Sequence, residues 1–122
     1  MSTIKADTIS NLAGSSTTSM NNVVNGSAKA WVNFNGQGTI AIRASYNVSS
    51  LSDIGVGNYY VNFTTAMPDV NYAGVTGGTI DGINPRQGPT THVINLSTIA
   101  VTTGFDNGAL TDWYSVTVAV FR

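Results

Sequence analysis

The sequence predicts an all-β protein, an antiparallel and jelly-roll-like β-sandwich, and three observations lead there. Several runs alternate apolar and polar side chains with period two, the pattern of a sheet with one buried face. Gly, Asn, Asp and Pro punctuate these runs at intervals too short for crossover helices, so neighbouring strands must pair antiparallel. Helix formers other than Ala are scarce and Glu is absent, whereas Gly, Ser, Thr and Asn abound.

Taken in order, residues 1–26 read as an attachment segment and polar linker, and residues 27–122 as the head domain. Within residues 2–13 the large apolar groups are Ile4, Ile9 and Leu12, too few for a core of their own. Residues 14–26 are rich in Ser, Thr and Asn and read as a flexible linker. Residues 28–34 set Ala28, Ala30, Val32 and Phe34 on one face, with Lys29, Trp31 and Asn33 on the other. Asn35-Gly36-Gln37-Gly38 then supplies the positive φ of a tight hairpin.

Residues 39–46 place Ile40, Ile42, Ala44 and Tyr46 together, and residues 58–64 do the same with Tyr59, Val61 and Phe63, turning Tyr60 away. Pro68 ends that run, because it cannot donate to a central ladder. A fourth strand is expected over 70–76, followed by a Gly- and Pro-rich loop over 77–89. Residues 90–103 return to strand pattern, with His92, Ile94 and Leu96 on one parity and Ile99 and Val101 on the other. The switch near Ser97 reads as a bulge or a change of face. A polar turn over 104–112 precedes the last run, 114–122, in which Val116, Val118 and Val120 share a face. That makes six strands.

Composition narrows the function. The length of 122 residues suits one domain. Net charge is −1, and the basic residues Lys5, Lys29, Arg43, Arg86 and Arg122 are scattered, so no electrostatic grip on nucleic acid is expected. Without Cys there are no disulfides and no thiolate metal sites. No run approaches the roughly 18 apolar residues of a membrane span. The first residues lack a signal peptide's apolar core, so synthesis without secretion, in the cytoplasm, is expected.

Catalysis finds little support, and no enzyme is expected. His92 is the single histidine, Glu is missing, and no Gly-x-Ser-x-Gly elbow occurs. A glycan-cleaving acid/base pair would have to come from Asp alone. His92 reads as a core or interface residue. Three copies about an axis would bring three imidazoles together, but one ligand per chain is a thin signal, and no metal or other cofactor is expected. Asp81, Asp106 and Asp112 lie in loops, where Asp beside Gly or Asn is turn chemistry, and the Asp-x-Asp-x-Asp-Gly calcium pattern is absent.

Trp31 and Tyr60 point away from the apolar faces of their strands, which suits contact with another copy or burial in a sandwich covered on both sides. Trp113-Tyr114 follows a loop and suits either strand-entry packing or a stacking platform for a sugar ring. The candidate binding residues are thus Asp81, Arg86, Asp106, Asn107, Asp112, Trp113 and Tyr114, and the candidate interface residues Trp31, Tyr60 and His92. Asn47, Asn62 and Asn95 open glycosylation-like triplets that read as accidents of an Asn- and Ser-rich chain.

Residues 28–34 (AKAWVNF), 42–50 (IRASYNVSS) and 55–68 (GVGNYYVNFTTAMP) resemble the head segment of tail-fibre and fibre-like virion proteins of tailed, marine-type bacteriophages. The opening STIKADTISNLAG and the closing SVTVAVFR are similar to the ends of such proteins, whereas residues 77–112 match no pattern of theirs. The resemblance implies a homotrimeric virion protein that docks to other virion proteins through residues 1–26. Its loops 77–89 and 104–113 would contact a host surface glycan or outer-membrane component. The alternative is a trimeric capsid-decoration, head-fibre or collar protein that stabilises the particle, which the lack of a long shaft favours.

Overall fold

In the head, side chains alternate in and out of the core strand by strand. β3 (Ala30–Asn35) buries Ala30, Val32 and Phe34, and β6 (Asn58–Phe63) buries Tyr59, Val61 and Phe63. β9 (Thr98–Thr102) buries Ile99 and Val101, and β10 (Ser115–Phe121) buries Val116, Val118 and Val120. The structure is a computed structural model that describes residues 1–80 and 88–122. Four further strands complete the head: β4 (Ala41–Tyr46), β5 (Val48–Gly55), β7 (Ala73–Thr79) and β8 (Thr90–Asn95).

They form two four-stranded antiparallel sheets, sheet I in the order β4-β3-β10-β7 and sheet II in the order β5-β6-β9-β8. Two packed antiparallel layers are the all-β sandwich that the alternating runs predict. The hairpins β3–β4, β5–β6 and β8–β9 each stay within one sheet, and the other connections cross between sheets. Among the described residues fourteen apolar side chains are buried in one cluster between the sheets, so the core closes within a single copy.

Two aromatic pairs span that core. Phe34 of sheet I meets Tyr59 of sheet II edge-on at 5.2 Å, and Phe63 of sheet II meets Tyr72 at 5.8 Å. Tyr72, just ahead of β7, shares its hydroxyl between the carbonyls of Asn95 and Thr98 (2.8 and 2.9 Å) in the β8–β9 hairpin. Each pair joins one sheet to the other.

Several expectations need correction. Among the described residues eight head strands replace the six expected. β5 escapes a period-two reading because its register with β6 shifts twice, leaving Val48 and Leu51 as the residues packed on the core. The run 90–103 is two strands, with the parity change made by a tight turn in which Asn95 Oδ1 accepts from the Ser97 amide at 2.8 Å. The His92, Ile94 and Leu96 parity faces outward, so His92 is not in the core. The fourth strand begins at Ala73 rather than at 70.

In β4 all six residues are exposed. A bulge reverses its parity: Ile42 pairs with inward Phe34, whereas Tyr46 pairs with outward Trp31, so the two lie on opposite faces. The presumed flexible linker also carries structure. β1 (Thr8–Ser10) and β2 (Thr17–Ser19) make a hairpin, and α1 (Met20–Gly26) starts at Ser19, whose Oγ accepts from the Asn22 amide at 3.2 Å. Lys29 Nζ donates to the Val24 carbonyl and ties the helix to the head.

Beside the C-terminal strand, Asp69 accepts from Arg122 Nε (2.8 Å) and Nη2 (2.5 Å) and from the Asn71 amide (2.8 Å). Those bonds, Arg122 foremost, hold its carboxyl down at about 2.

Two outcomes follow for stability. Trp113→Ala empties the largest buried site and is expected to cost ~3–5 kcal/mol. In a domain of this size that lowers the melting midpoint by roughly ten degrees or more, as calorimetry would record. For Asp69, a folded value below the ordinary one near 4 means the contribution is complete above about pH 4. It fades as pH falls through about 2. Melting curves of Asp69→Asn should lack that part of the acid dependence, and identical acid profiles would disprove the pairing.

Candidate functional site

The strand connections collect at two ends of the sandwich. One end holds residues 28–29, 46–48, 64–72, 96–97 and Arg122, and the N-terminal arm joins there. The opposite end holds the hairpin 36–40, the turn 55–57, Ile80, residues 88–89 and the segment 103–114. This second end carries the segment 104–113 singled out from the sequence and the described flanks of loop 77–89.

Its floor is fixed by close backbone approaches. The Gly36 amide donates to the Trp113 carbonyl at 2.9 Å, and a Cβ there would lie 2.6 Å from the Tyr59 hydroxyl oxygen. Gly57 adopts φ +66°, and a Cβ would sit 2.3 Å from the Thr103 carbonyl oxygen, so only glycine serves. Between these contacts sits Asp112. Its Oδ1 accepts from the Gly57 amide and from the Tyr59 hydroxyl, each at 2.7 Å, and that hydroxyl also reaches the Gly36 carbonyl at 2.9 Å. Burial first, and the Asp112 carboxylate second, push the Tyr59 phenol well above its ordinary value.

Two polar side chains brace the rim. Gln37 Nε2 donates to the carbonyls of Ile80 (3.0 Å) and Asp112 (3.3 Å). Arg43 Nη2 donates to the Tyr114 carbonyl at 2.6 Å, and its guanidinium lies 4.5 Å from the Tyr114 ring centre. Residues 104–110 form a small ordered turn. Gly104 and Leu110 make a bridge, the Phe105 amide bonds the Ala109 carbonyl at 2.8 Å, and Asn107 Oδ1 accepts from the Ala109 amide at 3.0 Å. A depression of about 170 Å³ lies beside it, lined by Thr90, Thr102, Gly104 and Leu110 among others.

The sequence-derived candidates separate on this scaffold. Asp106, Asn107 and Tyr114 are exposed at the loop end, Tyr114 at 52%. Asp112 is half-buried and occupied in holding the loops together. Trp113 is completely buried, so it cannot stack on a ligand and belongs to strand-entry packing. Asp81 and Arg86 lie outside the described residues. Sequence reasoning passed over Gln37, Arg43, Phe105 and Leu110. The available signal was two exposed apolar residues flanking the Asp-Asn-Gly turn, which a purely structural turn does not need.

The three interface candidates do not share a surface. Trp31 lies on the outward face of sheet I. Tyr60 and His92 lie on the outward face of sheet II, on either side of Ala100. Among the described residues no three His, Asp or Glu side chains converge into a cluster. The glycosylation-like asparagines have structural work. Asn47, at φ 54°, donates to the carbonyls of Lys29 (3.0 Å) and Thr65 (3.1 Å) and accepts from the Thr65 amide at 2.7 Å. Asn62 donates to the Ser50 and Ser52 hydroxyls.

Together these elements define an antiparallel β-sandwich head with an ordered loop surface at the end away from its N-terminal arm. No protein-family model, curated protein or solved structure matches the chain. Among the described residues no helix is long and apolar enough to cross a membrane.

Removing the Asp112 carboxylate leaves the Gly57 amide and the Tyr59 hydroxyl short of an acceptor. Asp112→Ala is therefore expected to cost about 1–3 kcal/mol, and Asp112→Asn less, since it retains an oxygen. Urea unfolding measures both, and faster hydrogen exchange at the Gly57 amide would localise the loss.

Proposed function

We propose that this chain is a fibre-type adhesion protein of a bacteriophage virion, a trimer whose heads bind a host surface glycan or outer-membrane component. The observation that carries the reading is the polarity of the head. The N-terminal arm leaves from one end, and the ordered loops occupy the other, so a copy anchored by its arm presents its loops outward. The likeness of residues 28–68 to phage fibre heads supports the same reading.

Recognition in this scheme is contact alone, with no bond made or broken. Tyr114 and Phe105 offer aromatic faces, and Asp106 and Asn107 offer polar groups at the same end. The bonded floor beneath them limits the ordering cost of binding. Single sites of millimolar to micromolar affinity correspond to about 4–8 kcal/mol. Three linked copies add avidity without new contacts.

Full-length protein passed over immobilised lipopolysaccharides and capsular polysaccharides from candidate hosts should bind one or a few of them. A Phe105→Ala, Tyr114→Ala double variant should weaken that binding by roughly tenfold or more, each change removing about 1 kcal/mol of aromatic contact. Gold-labelled antibody should mark the tail of the particle. Label spread over the capsid lattice, with no surface polymer bound, would replace adhesion by capsid decoration.

A further inference from the structure

The β8–β9 ladder stops short of where its register could carry it. Its last pair toward the loop end is Thr90 with Thr102, and the same register would set Gly88 opposite Gly104. Instead the Thr76 hydroxyl holds the Pro89 carbonyl at 2.7 Å, tying the incoming chain to sheet I, and Gly104 bridges to Leu110. Bonds flank that bridge on either side, from the Phe105 amide to the Ala109 carbonyl (2.8 Å) and from the Thr111 amide to the Thr103 carbonyl (3.2 Å). Gly104 and Leu110 are thus a non-hydrogen-bonded pair, whose own amides and carbonyls turn away from each other. Those of Gly104 face the β8 side, because Thr103 turns its amide and carbonyl the other way, toward Gly57 and Thr111. Neither group of Gly104 is bonded among the described residues.

The depression of about 170 Å³ lies at this stop, lined by Gly88, Thr90, Thr102, Gly104, Gly108 and Leu110 among others. Drug-sized ligands fill roughly 300–1,000 Å³, so a single ring-sized unit is what this hollow accommodates. Thr90 adds a hydroxyl that bonds nothing among the described residues. The Thr102 hydroxyl donates to Asn58 Oδ1 at 3.2 Å, and its oxygen is still able to accept. A Cβ on Gly88 or Gly108 would meet no atom within 4 Å, so a ligand is able to approach bare backbone at both. Leu110, 45% exposed, supplies an apolar side.

This grouping of donors and acceptors selects the ligand. One amide donor, one carbonyl acceptor and two hydroxyls suit a molecule whose own groups both donate and accept and whose ring carries a C–H face. A hexose is such a molecule. A phosphate or an anionic sugar calls for ionised donors instead, and among the described residues none lines the hollow. An extended peptide calls for a donor and acceptor repeated at every second residue along an edge. Here the chain turns back at Phe105 after a single such residue. We infer that this hollow seats one neutral hexose unit, with Gly104 and Thr90 bonding its hydroxyls and Leu110 against its ring. The inference rests on the proposed adhesion function and names the sugar class that the loop end reads.

Amide spectra of the full-length, isotope-labelled chain test it, titrated with the methyl glycosides of glucose, galactose, mannose and N-acetylglucosamine. At least one should move the Gly104 and Leu110 amide signals, with a dissociation constant of roughly millimolar order. Methyl glucuronide, inorganic phosphate and a blocked trialanine peptide should move neither. Thr90→Val should weaken the sugar by roughly three- to tenfold, the loss of one hydrogen bond. Gly88→Val should weaken it by about tenfold or more by filling the hollow. The backbone at Gly88 does not demand glycine, and if that variant fails to fold, the exposed Thr90 position carries the test. No shift with any of the four sugars, a shift that survives the variants, or one produced by phosphate or peptide instead defeats the inference. Host polysaccharide bound equally by wild type and Gly88→Val defeats the hollow and leaves adhesion standing. Sugar shifts as expected with no host polymer bound keep the hollow and defeat adhesion.

Discussion

The head depends on how two tyrosine hydroxyls find acceptors across the core. Tyr59 at the loop end and Tyr72 at the arm end each set a ring against a phenylalanine from the facing sheet, and each hydroxyl reaches backbone carbonyls on the far side. A buried phenol without such an acceptor would be costly, so the sheets are held at one spacing and one alignment. Only 9% of residues are charged, which leaves few ion pairs to do the same work. The loops rest on this arrangement: Asp112 grips the Gly57 turn through the same oxygen that accepts the Tyr59 hydroxyl's hydrogen bond.

That coupling bears on function. The end carrying residues 103–114 is tied to hairpins from both sheets, so its exposed side chains project from a surface with little freedom to rearrange. The arm end is braced separately by Asn47 and by the Asp69–Arg122 pair. The two ends are therefore able to diverge in sequence independently, because among the described residues their bonding networks share no member. The proposed division into an attaching pole and a recognising pole would draw on this separation.

Much of the architecture was legible in the sequence. The runs around Val32, Val61 and Val118 alternate cleanly, and they form the central strands β3, β6 and β10. Edge strands were harder. β5 and β4 carry bulges, and a bulge shifts parity by one residue, so period two fails where a register change occurs. The short helix at residues 20–26 was hidden by its composition of Asn, Val and Gly, all weak helix formers. At the site, the position of the loops was readable but the roles within them were not. Trp113 and Tyr114 are neighbours with opposite fates, and a bend at Tyr114 keeps the parity of β10 from extending back to them. The partners that decide their burial, Gly36, Arg43 and Ile80, are more than thirty residues away in the chain.

The placement of β10 between β3 and β7 has a consequence for biosynthesis. Sheet I cannot assemble while the ribosome is still making residues 1–114, because β10, which joins β3 to β7, follows all of its sheet partners in the chain. Until then the nascent chain exposes Val32 and Phe34 with no lasting cover, and long-range pairing of this kind is slow to form. Copies interrupted before Ser115 would lack that member altogether and would be substrates for chaperones and proteases, so unfinished heads would be removed rather than accumulate.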